Sequence, residues 1–508
     1  MVPSNQKALV AIDLGAQSCR VSLLRWNRNH PDIKIVHRFE NSPLSIGGQL
    51  FWDIDKISEG VMAGLQRCSE IAREGIASIA VDGWAVDYVR LDAHGNAIAL
   101  PFCYRDARTE VAERHVHTVL PPSRLYLLTG IQILRINTLY QLYADKISGS
   151  DVGLSWLNVP EYITYGLCGK RISEYTNATH TGLVALGTHA WCQEIFRELT
   201  LDSKVAPEIV PTGTLLGPLT GDLATLPALR DAKIVAPACH DTASAIAAIP
   251  AVGDDWAFIS SGTWSLVGTV LNSPCISDDA RTMNFTNLGG VGGKIYFLKN
   301  VNGLWLLRQF LDEWELQGVH CALEGLIQEC SSLPAPTTTI NVDDPQLMLP
   351  GDTIGKINEQ LKRLEHPPFS TDRSSMFALA NLILHSMAAR YAQVLDSIQR
   401  ITRKKLKRLF IVGGGGQNDF LNKLTARHTG LDVTIGATES TTIGNFAVQM
   451  ATLKADWTPA SGVTANSVAK WAELLSPKPG GRANSGNAES SPLLSSGRRG
   501  EMETYYER

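Results

Sequence analysis

The sequence lacks the features that mark several large classes of protein. Its 508 residues carry a net charge of only −4, so there is no basic excess that would attract nucleic acid or an anionic membrane. It contains no stretch of about 18 uncharged apolar residues, and we therefore expect no membrane-spanning helix. The nine cysteines are scattered and form no CxxC pair, which argues against a zinc ribbon or a disulfide scaffold and predicts a cytoplasmic protein.

Two familiar glycine motifs for nucleotides are also missing. The chain has no GxxxxGK sequence followed by Ser or Thr, so the P-loop mode of ATP binding is excluded. The glycine run at 413–416 does not fit the dinucleotide pattern GxGxxG, because position 418 is Asn. A nucleotide would therefore have to be held by another kind of turn.

The order of apolar patterns predicts an α/β fold. Apolar, β-branched segments at 8–12, 20–26 and 77–81 indicate strands, and helical spacing at 54–74 places a helix between the last two. Alternating strands and helices are typical of a largely covered sheet. The opening pattern recurs in the second half, where a strand at 256–260 and a turn precede another strand.

Length and composition divide the chain into three parts. At about 100–200 residues per domain, 508 residues are too many for a single core. We place a first domain at 1–248 and a second at 249–476. Gly, Ser, Asn, Pro and charged residues dominate 477–508, which predicts a disordered tail.

The first turn that could carry chemistry follows the first strand. Asp13 ends that strand and heads a hairpin of small residues, whose backbone N–H groups can hold phosphate oxygens. A carboxylate in this place can orient a hydrated magnesium ion. An ordinary hairpin with an Asp-led turn would have the same sequence, so this motif alone is not decisive.

The second turn combines His240 with Asp241 at the end of a predicted strand. An Asp in this place can serve as a general base that accepts a proton from a sugar hydroxyl. It can equally be the N-cap of the following helix, because Asp is a favoured capping residue. The two interpretations remain open on this motif alone.

Further turns occur in the second half. Ser261, Gly262 and Thr263 form a mirrored hairpin turn, and the glycine run at 413–416 follows a strand, where a flat purine or ribose could lie against bare backbone. Among the aromatic residues nearby, we expect Trp264 to belong to the core.

Together, in this order, these turns resemble the FGGY carbohydrate kinases, which share a core with actin, hexokinase and the heat-shock ATPases. The resemblance spans roughly residues 8 to 455 and is closest to the rhamnulokinase branch of that family. The stretches that carry it include Tyr104-Arg105-Asp106, Asn137-Thr138-Leu139-Tyr140-Gln141-Leu142, Glu174-Tyr175-Thr176-Asn177, Ser260-Ser261-Gly262-Thr263-Trp264 and Gly303-Leu304-Trp305.

The resemblance implies two actin/hexokinase-like, ribonuclease H-like domains that flank a cleft, with the sugar mainly in the first and the nucleotide mainly in the second. It implies ATP and Mg²⁺ as cofactors and a ketose, L-rhamnulose, as substrate. It implies no nucleic-acid or membrane partner, and a monomer or homodimer.

The resemblance also implies roles for individual residues. Asp241 would be the catalytic base, and Asp13 would hold magnesium through water. Sugar contacts would come from Ala85, His240, Asp241 and Asn300. ATP contacts would come from Ala16, Gln17, Ser18, Cys19, Arg20, Thr263, Arg308, Gly414 and Gly415.

The chain departs from the family pattern at three of these positions. Cys19 and Ala85 each stand where the family has glycine, and Arg308 stands where it has glutamine. Because Ala85 would touch the sugar, another ketose or polyol such as L-fuculose or xylulose remains an alternative. A non-catalytic ATP-binding regulator or a chaperone-like ATPase with the same core is the alternative from another class.

Overall fold

A computed structural model of the chain describes residues 6–476, apart from positions 29, 151, 152, 154, 350, 371, 373 and 374. The tail predicted at 477–508 lies outside the described residues. Within the described part, no helix has both the length and the apolar character needed to cross a membrane.

Among the described residues, twelve strands and eight α-helices make up the N-terminal half. The strands are β1 (Ala8–Leu14), β2 (Ser18–Asn27), β3 (His30–Glu40), β4 (Leu44–Ile46), β5 (Gln49–Phe51), β6 (Ile76–Gly83), β7 (Tyr88–Leu91), β8 (Ser155–Asn158), β9 (Ile172–Glu174), β10 (Glu208–Val210), β11 (Thr214–Pro218) and β12 (Lys233–Ala236). The helices are α1 (Ile54–Ile71), α2 (Thr109–Val119), α3 (Pro122–Thr129), α4 (Thr138–Ile147), α5 (Val159–Cys168), α6 (Tyr175–His180), α7 (Gln193–Glu198) and α8 (Asp241–Ala247).

The C-terminal half contributes the other strands and α-helices of the described part. Its strands are β13 (Trp256–Ser261), β14 (Trp264–Leu271), β15 (Thr286–Gly289), β16 (Ile295–Asn302), β17 (Arg408–Val412), β18 (Asp432–Ile435), β19 (Trp457–Thr458) and β20 (Gly462–Val463). Its helices are α9 (Asp278–Thr282), α10 (Leu304–Leu316), α11 (Leu323–Ser332), α12 (Thr353–Arg363), α13 (Met376–Thr402), α14 (Asp419–Thr429), α15 (Ser440–Leu453) and α16 (Ala465–Leu475).

Each half is built on a six-stranded sheet, and five strands of each sheet follow the same plan, while the sixth strand, β11 or β15, pairs at opposite ends. The first has the order β11-β12-β6-β1-β2-β3 and the second the order β15-β16-β14-β13-β17-β18. In each, three antiparallel strands (β3-β2-β1 and β16-β14-β13) continue into two parallel strands (β6-β12 and β17-β18). This repeated topology confirms the predicted fold class of two ribonuclease H-like α/β domains.

Local sequence explains why the first elements form. All seven residues of β1 are buried, as expected for a central strand covered on both faces. Helix α1 begins after Asp53, whose side chain accepts the backbone N–H of Lys56 at 3.0 Å. Its apolar residues recur at helical spacing and face the core, which fixes the helix against the sheet.

Helix α15 of the second half packs directly on the first sheet through buried polar side chains. Gln449 donates to the carbonyl of Val10 at 3.0 Å and to Oδ1 of Asn445 at 2.7 Å, and it accepts from the hydroxyl of Ser78 at 2.6 Å. Asn445 in turn donates to the carboxylate of Asp82. These bonds, which we call the α15 polar contact, join the two halves behind the strand ends.

Replacing Gln449 by Ala should destabilise the protein, because it leaves the carbonyl of Val10 and the hydroxyl of Ser78 buried without this partner. We expect the free energy of unfolding in urea to fall by about 1–3 kcal/mol. Gln66→Ala on the exposed face of α1 is the matched control and should change it little. Equal stability of the two variants would contradict the α15 polar contact.

Candidate functional site

Three carboxylates meet where strands of the first sheet end. Asp13 of β1 lies in parallel register with Asp82 of β6. The residue after Asp82, Gly83, forms a parallel bridge with His240, which precedes Asp241 at the start of α8. The carboxyl ends of parallel strands share one sheet edge, so the three side chains converge there.

Asp13 is 5% exposed and faces Arg20, its cross-strand partner on β2, with Oδ2 at 3.7 Å from Nη1. Burial raises the pKa of Asp13 to about 7, and the charge of Arg20 partly offsets this increase. Arg20 also forms an ion pair with Glu439, which immediately precedes α15 in the second half. One guanidinium therefore joins both halves at the site.

Asp82 was not predicted as a site residue. It is fully buried, and burial raises its pKa well above the ordinary value, with the nearby Asp13 adding to the increase. One of its oxygens accepts from Asn445, whereas Oδ1 has no hydrogen-bond partner among the described residues. The sequence does contain a signal for Asp82, because it directly follows the strand predicted at 77–81, just as Asp13 directly follows the strand predicted at 8–12.

Asp241 is the first residue of α8, while the N-cap is His240, whose side chain makes no capping bond. The Asp241 carboxylate accepts the backbone N–H and the hydroxyl of Thr242, its neighbour in the chain. Burial raises the pKa of Asp241 to about 6, and these bonds and Arg20 partly offset the increase. Its side chain is still 36% exposed, which leaves the carboxylate accessible to a substrate.

His240 is a neutral neighbour of Asp241. Burial lowers the pKa of His240 to about 3, and its Nε2 lies 3.3 Å from Oδ1 of Asp241. Its ring centroid lies 3.9 Å from that of His180, a second buried histidine whose pKa is also lowered by burial. A neutral imidazole can donate one N–H, so the geometry suits a hydrogen bond that orients the carboxylate.

In the hairpin between β1 and β2, the side chain of Cys19 is buried in the core, whereas the residues before it are only partly buried. Asn41 supports the turn by donating from Nδ2 to the carbonyl of Gly15 at 3.0 Å and from its backbone N–H to that of Gln17. Ala16 and Ser18 are half-buried beside them. Cys19 is fully buried, so only its backbone can face a phosphate.

The corresponding turn of the second half lies between β13 and β14. The carbonyls of Gly262 and Thr263 accept the first backbone N–H groups of α10, at 3.0 and 3.2 Å. A Cβ atom on Gly415 would meet the hydroxyl of Ser261, so the glycine turn lies against the same hairpin. Thr263 and Gly414 are exposed at this edge. Trp264 is 46% exposed, and the prediction that it belongs to the core was wrong.

Arg308 lies one helical turn into α10, on its exposed face. Its side chain is 49% exposed, and Nε lies 2.8 Å from Oδ1 of Asp312. Pairs at this spacing on a helix surface are weak and exchangeable. Arg308 is therefore available to an anionic ligand at this side of the hairpin.

The predicted sugar contacts come from both halves. Ala85 follows β6 and is 8% exposed. Asn300 of β16 donates from Nδ2 to Oε1 of Gln132 at 2.8 Å, which is a contact between the two halves. Gln132 was not predicted as a site residue.

The oxygen donors at this site suit a hydrated magnesium ion. Magnesium is usually bound through one or two carboxylates, retained waters and substrate phosphates. Asp13 and the unpartnered oxygen of Asp82 supply carboxylates of this kind. No group of three or more His, Cys, Asp or Glu side chains in the described part could hold a metal by itself.

Comparison with protein families identifies both halves of the chain. The N-terminal domain model of the FGGY family of carbohydrate kinases matches residues 8–248, and the C-terminal domain model of the same family matches residues 257–453. Three curated proteins named rhamnulokinase, from Oceanobacillus iheyensis, Bacteroides thetaiotaomicron and Halalkalibacterium halodurans, are each 34% identical to the chain. The matches cover 88%, 87% and 87% of this chain and 93%, 90% and 92% of those proteins.

Solved structures agree on the fold. A xylulose kinase from Lactobacillus acidophilus is 16% identical with a TM-score of 0.73, covering 92% of this chain and 96% of that one. A glycerol kinase from Plasmodium falciparum is 13% identical with a TM-score of 0.71, covering 92% of each chain. At these identities the likeness concerns the fold alone.

The thiol of Cys19 should be unreactive, although it lies in the hairpin that faces the site. Burial raises its pKa to about 12, so almost none is thiolate at pH 8. We expect iodoacetamide at pH 8 to leave Cys19 of the native protein unmodified while the partly exposed Cys321 is alkylated, as measured by peptide mass mapping. Modification of Cys19 at the rate of Cys321 would contradict this placement.

Proposed function

The chain belongs to the FGGY family of carbohydrate kinases, and on that premise we propose that it transfers the γ-phosphate of ATP to the primary hydroxyl of L-rhamnulose. The product would be L-rhamnulose 1-phosphate, within rhamnose catabolism. The single observation that carries the kinase chemistry is the accessible Asp241 carboxylate at the edge where Asp13 and Asp82 also lie. The identity of 34% to proteins named rhamnulokinase supports the choice of sugar.

In the proposed step, Asp241 accepts the proton of the sugar hydroxyl. The hydroxyl oxygen forms a bond to the γ-phosphorus, while the bond from that phosphorus to the bridging oxygen breaks and ADP leaves. With a pKa raised to about 6, Asp241 is mostly ionised at neutral pH and yet basic enough to accept a proton. Neutral His240 holds the carboxylate in place from 3.3 Å and contacts the sugar.

The two hairpins would hold the nucleotide from opposite sides. Backbone N–H groups of residues 16–20 and the guanidinium of Arg20 would bind phosphate oxygens, and Thr263 would bind them from the second half. Gly414 and Gly415 would lie against the adenosine, with Gly414 facing open space and Gly415 holding the turn against Ser261. Arg308 would exchange its exposed partner Asp312 for the nucleotide.

Asp13 would hold magnesium through a water molecule. When bound, the ion would neutralise phosphate charge that develops during transfer. Asp13 suits this role better than the role of base, because Arg20 faces it and would also face the phosphates.

A coupled assay of ADP release across purified ketoses tests the proposal. We expect the highest kcat/KM for L-rhamnulose, with L-fuculose and xylulose lower by about 10-fold or more, since one misplaced group in a pocket typically has this effect. A higher value for either of those sugars would overturn the choice of substrate but not the kinase. ADP release unaffected by any ketose or polyol would instead favour a regulator or a chaperone-like ATPase.

A further inference from the structure

Val86 has a backbone conformation that residues of its kind rarely adopt. Its φ is +74°, in the left-handed region that is normally occupied by glycine and, less often, by Asn or Asp. Valine is β-branched, which narrows the conformations open to it still further. Val86 lies between Ala85 and Asp87, in the segment that connects β6 to β7. We call residues 84–87 the sugar-side turn.

Hydrogen bonds from α4 hold this conformation. The carbonyl of Val86 accepts from the hydroxyl of Thr138 at 2.7 Å and from Nε2 of Gln141 at 3.3 Å. The same Nε2 donates to Oδ1 of Asp87 at 2.9 Å. Oε1 of Gln141 accepts from Arg108 at 3.3 Å, and Nε2 also donates to the carbonyl of Ile136 at 3.1 Å, so the amide is oriented with its nitrogen towards the turn.

The carboxylate of Asp87 accepts the other hydrogen bonds around the turn. It is fully buried, and its Oδ2 accepts from the indoles of Trp52 at 2.6 Å and Trp84 at 3.0 Å and from the backbone N–H of Tyr104 at 3.2 Å. The rings of Trp52 and Trp84 are in contact, with centroids 4.6 Å apart. One carboxylate therefore fixes both ends of the turn and the aromatic residues beside it.

The turn lies directly beside the catalytic strand ends. Gly83, which precedes it, donates to the carbonyl of Cys239 at 2.9 Å, and Trp84 donates to that of Leu14 at 3.2 Å. Cys239 precedes His240, and Leu14 follows Asp13. A displacement of the turn would therefore move Ala85 relative to the carboxylates.

We propose that the sugar-side turn sets the choice among ketoses, and that Asp87 is the positioning residue that holds it for this purpose. The proposal rests on the proposed function, because Ala85 is taken to contact the sugar. The hydrogen bonds impose a positive φ on residue 86, and the valine side chain limits departures from it. Ala85 thereby presents its methyl group to the sugar at a fixed place, and a ketose of different shape is rejected.

The first test compares Val86→Ala with Val86→Gly, which differ by one methyl group. Glycine adopts positive φ freely and also many other conformations, so the turn becomes less well fixed. We expect the ratio of kcat/KM between the best and second-best ketose to be about 10-fold lower in the Gly variant than in the Ala variant. The Gly variant should be no less heat-stable, because alanine still disfavours positive φ.

Equal ratios in the two variants would overturn the proposal. If the γ-methyl groups of Val86 only filled space, both variants would lack them and would lose selectivity to the same extent. The ratio concerns whichever two ketoses the wild-type protein uses best. A wild-type preference for a ketose other than L-rhamnulose would therefore refute the proposed substrate without affecting this comparison.

The second test is Asp87→Asn, which places an NH₂ group where four donors converge. We expect KM for the ketose to rise about 10-fold or more while kcat and KM for ATP stay within about 2-fold. Asp92→Asn is the matched control, since Asp92 lies in the neighbouring surface turn and accepts the backbone N–H groups of His94 and Asn96. It should leave all three constants unchanged.

A parallel loss of kcat and of ATP binding in Asp87→Asn would indicate general damage and would overturn the positioning role. If that variant does not fold, the comparison at Val86 decides the proposal without it.

Discussion

The structure depends on holding three carboxylates together at one edge of the first sheet. Asp13, Asp82 and Asp241 would repel one another if all were ionised away from water, and burial raises the pKa of each. Arg20 and Asn445 offset this cost by an ion pair and a hydrogen bond. Asn445 belongs to the second half, so the carboxylates are fully supported only when the two halves are packed together.

The two sheets share the order of five strands but have different chemistry at their strand ends. In the first sheet β1 carries Asp13 near its end and β6 carries Asp82. The equivalent strands of the second sheet, β13 and β17, lead into Ser261 and the glycine turn. The first sheet thus supplies acidic side chains at its strand ends, whereas the second supplies a hydroxyl and closely approachable backbone.

Strands and helices with a clear apolar pattern were predictable from the sequence. The strand expected at 256–260 is observed at Trp256–Ser261, and the helix expected at 54–74 is observed at Ile54–Ile71, because apolar periodicity reports burial directly. Contacts between distant segments were not predictable. Glu439 was missed because its partner Arg20 comes close only when the halves pack, and the exposure of Trp264 depends on which side of the hairpin remains open.

The most direct test of the account is the turnover of Asp241→Asn, a change that keeps the size of the side chain and removes the proton acceptor. We predict a fall in kcat of roughly 10²–10⁴, with ATP affinity and melting temperature unchanged. In the wild type, kcat/KM should be half-maximal near pH 6 and fall further as Asp241 is protonated at lower pH, a dependence that the variant should lack. Near-normal turnover by the variant would contradict the assignment of Asp241 and the mechanism built on it.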